Sequence, residues 1–314
     1  MNALRRLAFA LLAAVLTFGV AAPGRAADLA VINLINLPAD NSAEVYYAQE
    51  LGFFKDAGLD VRISAMTNSG AIIAALAGGG GDIGNAVVGS VADARGKGIP
   101  ILYIAPAGLY DSAAPTAALV TLKDSPITKA ADLDGKIVAI SGLNDLTYFA
   151  TRAWIDKNGG KSADVKFIEL PFPAMTAAVA AHRVDAAYVI EPFLSAGSAD
   201  LKVLARAAES VAPRYQATGW IASETWLASH ADLALRFAAA IHRTALWANS
   251  HQKESALILV KYLKLDPAIV EKMRRVTYAV TLETRLVQPP IDTAAKYTGQ
   301  APVRANSLLW APGK

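Results

Sequence analysis

The chain has 314 residues, no cysteine, and 30 Lys and Arg against 27 Asp and Glu. Without cysteine there is no disulfide framework, no thiolate nucleophile and no cysteine-ligated metal, while a hydrophobic fraction of 54% is enough for one large core or two medium ones. Arg5, Arg6 and Arg25 carry the whole basic excess, and beyond Ala26 the charges balance, so the formal charge of +3 does not mark a nucleic-acid surface.

At the N-terminus, Arg5 and Arg6 precede an apolar run from Leu7 to Val20, and Pro23-Gly24-Arg25-Ala26 follows it. This is the order of a secretory signal peptide: basic n-region, apolar h-region, small-residue cleavage site. The run is short of the roughly 20 residues a spanning helix needs. Processing near Ala26 is therefore expected, placing the mature protein in the periplasm, and with no cysteine following, a lipid anchor is excluded.

Leu29 to Leu34 reads as the first strand, and Ser42 as the N-cap of a helix over Glu44-Val45-Tyr46-Tyr47-Ala48. Leu59 to Ile63 alternates like a strand. Ser69-Gly70 opens an Ala-rich helix to about Ala77, Gly78 to Gly81 breaks it, and Asp82-Ile83-Gly84 starts a buried strand. Ile99 to Ala105 is a further apolar run. The same grammar then returns: a strand at Lys136 to Ile140, a helix from Asp145 to about Asn158, a strand at Val165 to Leu170, a helix at Ala174 to His182, and strands at Val184 to Ile190 and Leu201 to Ala205. Helices are expected at Ala231 to Asn249, Gln252 to Leu263 and Pro267 to Arg275, the last with Pro at the first helical position. Glu283 to about Tyr297 reads as a helix broken by Pro289-Pro290.

The return is visible residue by residue. Tyr46-Tyr47-Ala48 answers Tyr148-Phe149-Ala150, Asp60-Val61-Arg62-Ile63 answers Asp164-Val165-Lys166-Phe167, and Ala74-Ala75-Leu76-Ala77 with Asp82-Ile83 answers Ala177-Ala178-Val179-Ala180 with Asp185-Ala186. Two copies are too few for a solenoid and point to two similar lobes with a cleft between them. Alternating strands and helices call for mostly parallel sheets covered by helices, an α/β architecture. Thr116 to Leu122 and Gln216 to Ala222 are apolar and strand-like, and the crossovers are expected there. That gives residues 28–115 with 220–314 as one lobe and 116–219 as the other.

Glu50-Leu51-Gly52-Phe53-Phe54-Lys55-Asp56-Ala57-Gly58-Leu59-Asp60-Val61 resembles the "kGfFkkeGLdV" segment of solute-binding proteins of ABC importers, of the sulfonate, nitrate and taurine type. Asp82-Ile83-Gly84, Asp132-Leu133-Asp134-Gly135-Lys136 and Val184-Asp185-Ala186-Ala187-Tyr188-Val189-Ile190-Glu191-Pro192-Phe193 resemble later segments of that family, in the same order. The resemblance implies the type II periplasmic binding fold, two lobes joined by two crossover strands with the second inserted in the first. It also implies that a small organic or anionic solute is delivered to an inner-membrane ABC permease by a monomeric receptor.

Parallel sheets present ligands at the carboxyl ends of their strands. That rule nominates Asn36 and Asn41 after the first strand, Asn68, Ser69 and Gly70 after the second, Asn85 after the third and Tyr110 after the fourth. In the second lobe it nominates Asn144, Thr147 and Glu191. Trp220, near a crossover, could stack on an apolar ligand portion. The starts at Ser69-Gly70 and Ser141 to Thr147 could hold an anion by backbone N–H groups and the helix dipole. Asp82 and Asp185 fall at strand starts and read as structural. The Gly78 to Gly81 run has no Gly-Lys-[Ser/Thr] after it and is no phosphate loop. The four histidines show no metal-ligand spacing. No cofactor, metal, nucleic acid or bond chemistry is expected. The alternative is an enzyme on the same fold, of pyrimidine-precursor or chorismate-processing type.

Overall fold

The structure, a computed structural model, describes residues 29–312, and the expected signal segment lies outside them. The chain builds β1 (Ala30–Asn36), α1 (Glu44–Glu50), α2 (Phe53–Asp56), β2 (Leu59–Ala65), α3 (Ser69–Ala77), β3 (Ile83–Val87), α4 (Val88–Gly96) and β4 (Ile101–Pro106). It passes through β5 (Leu109–Asp111) into β6 (Ala117–Leu122), β7 (Ile137–Ile140), α5 (Leu146–Lys157), β8 (Lys166–Glu169), α6 (Phe172–Ala180), β9 (Ala186–Ile190), α7 (Phe193–Ala196) and β10 (Leu201–Ala205). It returns through β11 (Arg214–Gln216) to β12 (Thr218–Ser223) and ends in α8 (Glu224–Ser250), α9 (Gln252–Leu263), α10 (Pro267–Lys272) and α11 (Thr284–Thr298).

Two five-stranded sheets result, ordered β2-β1-β3-β12-β4 and β8-β7-β9-β6-β10. Strand for strand these are the same sheet. In each, one strand, β12 or β6, runs antiparallel to both neighbours while the pairs around β1 and β7 are parallel. The repeated aspartates hold equivalent joints. Asp82 N donates to Asn33 O at 2.8 Å and its carboxylate accepts from Asn33 N at 2.7 Å. Asp185 N donates to Ile137 O at 2.8 Å and its carboxylate accepts from Ile137 N at 2.8 Å. Both are strand-start residues with no part in a dyad.

Each sheet is covered by helices on both faces. In the first lobe α1 and α8 cover one face around Tyr47, Trp220 and Phe237, and α3, α4 and α11 cover the other around Ile72, Val91 and Ile291. In the second, α5 and α6 do the same.

The crossovers lie elsewhere than the sequence suggested. Thr116 to Leu122 contributes β6, paired on both sides inside the second sheet, and Gln216 to Ala222 contributes β12, inside the first. The chain changes sheet at β5 and β11, which pair antiparallel as a two-stranded ribbon with Tyr110 opposite Tyr215. Apolar alternation marks a buried strand but not which sheet buries it.

Four local expectations change. Ser42 is not the cap of α1: its hydroxyl bonds Leu37 O at 2.5 Å, and Ala43 occupies the cap position without a side-chain bond. The cap of α3 is Asn68, which accepts from Ala71 N at 2.9 Å. Pro289 and Pro290 do not break α11, because Leu286, Val287, Pro290, Ile291 and Ala294 bury one face in the first lobe and packing outweighs lost backbone bonds. Helix α4 was not foreseen: nearly all of it is buried, so it lacks the one-sided apolar pattern that reveals a helix.

A buried ion pair anchors the loop after β1. The Asp40 carboxylate accepts from Arg275 Nη2 at 3.1 Å and Val276 N at 2.8 Å, Arg275 also donates to Tyr47 Oη at 2.7 Å, and Tyr278 Oη donates to Asp40 O. Asp40 is fully buried. Removing one partner of a buried pair leaves the other charge uncompensated, so Arg275→Met should cost about 3–5 kcal/mol in urea unfolding; a loss under about 1 kcal/mol would count against this anchor.

Glu44 is also fully buried, and its one side-chain hydrogen bond is accepted from Trp220 Nε1 at 3.0 Å. Burial pushes its carboxyl well above the ordinary value, the Trp220 bond opposing this only in part. A folded-state pKa above the unfolded one gives stability that is complete below the unfolded pKa and falls as pH rises toward the folded value. Glu44→Gln removes that titration. Above about pH 4.5 the variant should gain on the wild type by up to about 1.4 kcal/mol per pH unit, measured as the difference in urea midpoints across pH; parallel curves would refute it.

Candidate functional site

The carboxyl ends of β1, β3, β7 and β9 face each other across a cleft with about 640 Å³ of empty space. Leu37, Asn41, Ser69, Val87 and Val276 form the wall of the first lobe. Ser141, Asp145, Thr147, Phe172, Tyr188 and Glu191 form the wall of the second. Tyr110 and Tyr215 of the ribbon lie between them.

Five of the nominated residues meet here: Asn41, Ser69, Tyr110, Thr147 and Glu191. Asn68, Gly70 and Asn144 border a neighbouring opening with Lys97 and Glu169 instead. Asn144 takes a left-handed φ of 69°, and its carbonyl accepts from Ser90 Oγ of α4 at 3.2 Å, a bond from lobe to lobe. Asn36, Asn85 and Trp220 are corrections. Asn36 is fully buried and donates to Ser42 O at 3.2 Å. Asn85 pairs with Trp220 across β3 and β12, and Trp220 packs against Phe237 under α8 with its N–H on Glu44. None of the three lines the cleft, because alternation along β1, β3 and β12 turns them to the helix-covered face.

The start of α5 is built around Asp145. Its Oδ1 accepts from Thr147 N at 2.8 Å, Thr147 Oγ1 at 2.6 Å and Tyr148 N at 3.3 Å, and its Oδ2 from Ser141 Oγ. Burial raises the Asp145 pKa, and these four donors offset part of that rise. Sequence reading placed a ligand anion at this turn. The carboxylate of Asp145 already occupies the helix end. The Asp two residues ahead of Thr147 is the cap signal that could have revealed it.

Glu191 ends β9 with 4% of its surface exposed. Its carboxylate accepts from Ser195 N at 3.0 Å and Ser195 Oγ at 2.9 Å, so it caps the turn into α7 while lining the cleft. Burial raises its pKa, and the Ser195 bonds hold the rise in check. Ser69 Oγ accepts from Val87 N at 3.1 Å and so ties α3 to the end of β3.

Tyr110 and Tyr215 stack with ring centroids 5.2 Å apart, both buried, and neither hydroxyl has a partner. Burial lifts the Tyr110 hydroxyl pKa to about 12. Tyr215, Tyr188 and Phe172 are not among the residues nominated from the sequence. Only the ribbon pairing and the strand ends bring them to the cleft.

A family model described as NMT1/THI5 like matches residues 39–255. Over 153 residues the chain is 32% identical to the taurine-binding periplasmic protein of Escherichia coli (strain K12), a stretch covering 48% of this chain and 46% of that protein. The match thus spans about half the length of that curated relative. The fold is similar to the alkanesulfonate-binding protein SsuA from Xanthomonas axonopodis pv. citri bound to MOPS, with a TM-score of 0.77 and 18% identity over 90% of this chain and 99% of that one. It is also similar to the desulfurization enzyme DSZB, with a TM-score of 0.64 and 15% identity over 90% and 97%. Likeness at these identities establishes the fold, the two-lobed periplasmic binding architecture.

Ser195→Ala removes one of the three donors that favour the ionised form of Glu191 while keeping the backbone bonds from Ser195 and Arg274. The Glu191 pKa should rise further, read as the midpoint of its carboxyl carbon shift in a pH titration; an unchanged or lower midpoint would show that the hydroxyl does not hold the carboxylate.

Proposed function

The chain belongs to the NMT1/THI5-like family, and from that premise we propose that it is the periplasmic solute-binding component of an ABC import system. It is exported, processed near Ala26, and works as a monomer that encloses a small solute between its lobes and delivers it to an inner-membrane permease. One observation carries this reading: a single cleft takes its walls from the strand ends of both lobes and contains buried polar groups with unused hydrogen-bonding capacity. A solute touching both walls stabilises closure, and a hinge between lobes converts binding into a change of shape.

An enzyme on this fold, in the manner of DSZB, finds less support in the cleft. No histidine lines it. The hydroxyl of Ser69 accepts a backbone bond, and Ser141 donates to Asp145, whose carboxylate is already engaged by two backbone N–H groups and the Thr147 hydroxyl as the cap of α5.

The lobes touch closely along α4 and α5. A Cβ at Gly89 would stand 3.3 Å from Phe149 of α5 and 3.5 Å from Ala294 of α11. Further along the same face of α5, Tyr297 Oη donates to Asp156 at 2.9 Å and the Arg152 guanidinium lies 4.6 Å above the Tyr297 ring. Gly89→Val should therefore hold the lobes apart. Small-angle scattering is expected to show a larger radius of gyration for the variant, and a bound solute that raises the melting temperature should compact the wild type more. A solute that binds and leaves the wild-type scattering unchanged would refute closure. The melting temperature itself should climb with solute concentration, by about 2.7 kcal/mol of stability at 100 times Kd.

A further inference from the structure

The charge of the cleft wall restricts what it can hold, given the solute-binding reading above. Among the described residues no lysine or arginine lines the cleft, and the ionisable acids that do are Asp145 and Glu191. Three of the cations nearby are committed elsewhere, while Arg274, whose backbone N–H also reaches Glu191, is exposed and outside any ion pair among the described residues. Arg275, beside the lining residue Val276, is bound to Asp40. Arg152 donates to Ser162 and Tyr148 and lies over Tyr297. Lys97, in the neighbouring opening, is paired with Asp93 at 2.6 Å.

Backbone amides replace the missing cations only in part, Ser69 N and Gly70 N at the start of α3 being left without a bond. An anion at a helix start needs free N–H groups there. At α5 the Thr147 and Tyr148 amides are taken by Asp145, and at α3 the Ala71 amide is taken by Asn68. A carboxylate thus stands at the start of α5, where the sequence reading put an anion. An anion entering this cleft would lose its hydration beside two acids and gain no countercharge from the lining residues.

What the cleft does offer is an acceptor-rich rim over an aromatic floor. Asn41 Oδ1 is a buried acceptor without a partner, and the hydroxyls of Tyr110 and Tyr215 are buried and unpartnered, with 3% and 0% of those residues exposed. Native proteins rarely leave such groups unpaired unless something else supplies the bond. Each Glu191 oxygen accepts one bond from Ser195 and has a lone pair left. Phe172 and Tyr188 add apolar surface on the second-lobe wall.

We propose that the cleft takes a small solute without net negative charge, uncharged or singly cationic, whose N–H or O–H groups meet Asn41 and Glu191, whose acceptor meets the Tyr110 and Tyr215 hydroxyls, and whose apolar face packs on Phe172 and Tyr188. An alkanesulfonate with a net negative charge, the class in the name of one relative, therefore does not carry over to this cleft.

The test uses the full mature chain and ring-matched probes that differ in charge: benzenesulfonate and benzoate, benzyl alcohol and benzamide, benzylamine and benzamidine. Thermal shift ranks them and titration calorimetry measures those that bind. Uncharged or cationic members should bind at least about tenfold more tightly than their anionic counterparts, a difference of about 1.4 kcal/mol. Anions binding as tightly or more tightly would overturn the charge assignment and leave the solute-binding reading standing. No binding by any member would overturn both.

Tyr110→Phe and Tyr215→Phe supply the second arm. Each should weaken the best probe by roughly five- to a hundredfold, the effect of a buried hydrogen bond lost. The melting temperature without probe should hold or rise, since an unpartnered hydroxyl is removed. Unchanged affinity in both variants would overturn the role of the phenols.

Discussion

Everything about the cleft depends on the antiparallel pairing of Leu109–Asp111 with Arg214–Gln216. Within the described residues, the chain changes sheet there and nowhere else. A two-stranded ribbon resists stretching and shear but bends and twists, so the lobes it joins can rotate while their strand ends stay opposed. The same pairing sets Tyr110 against Tyr215 and puts both rings under the space between the walls. In the proposed function one short ribbon serves as both the hinge and the floor of the cleft. Its first strand also fits closely against the loop after β1, where a Cβ at Gly108 would stand 2.8 Å from Asn41 O.

Polar burial divides into two kinds in this molecule. The Asp40 and Arg275 pair is fully engaged and fixes the loop after β1 to the segment before α11. Asp145 and Glu191 are engaged as caps, and their carboxylates give order to the turns that form the second-lobe wall. The hydroxyls of Tyr110 and Tyr215 and Oδ1 of Asn41 are buried and idle. Engaged groups hold the wall in shape, and idle ones give it capacity to bind. For the proposed receptor that combination amounts to preorganisation, since little side-chain freedom would be lost when a solute arrives.

The family resemblance and the cleft answer different questions. Shared topology explains why α/β lobes of this kind meet at their strand ends, whatever they carry. Ligand chemistry is set by a handful of side chains on those ends. Asp145 at the head of α5 is the clearest instance: the helix end that could receive an anion is given to a carboxylate of the chain itself.

The internal repeat was legible from the amino acids alone, since Asp82 and Asp185 with their surrounding runs recur in one order and form the same joint in each sheet. So were most strands and helices, and the loops worth examining, because local periodicity and the strand-end rule need no partner residue. Which face each loop residue presents was not legible. Asn36, Asn85 and Trp220 sit in correctly nominated stretches yet point into a helix-covered core, since sheet register fixes the direction of a side chain and register is a property of two strands. Tyr188 and Tyr215 reach the cleft for the same reason, and neither is nominated from the sequence. The charge of the site was decided later still, where Asp40 took Arg275 and Asp145 took the start of α5, because pairing among residues far apart in sequence exists only after the chain has folded.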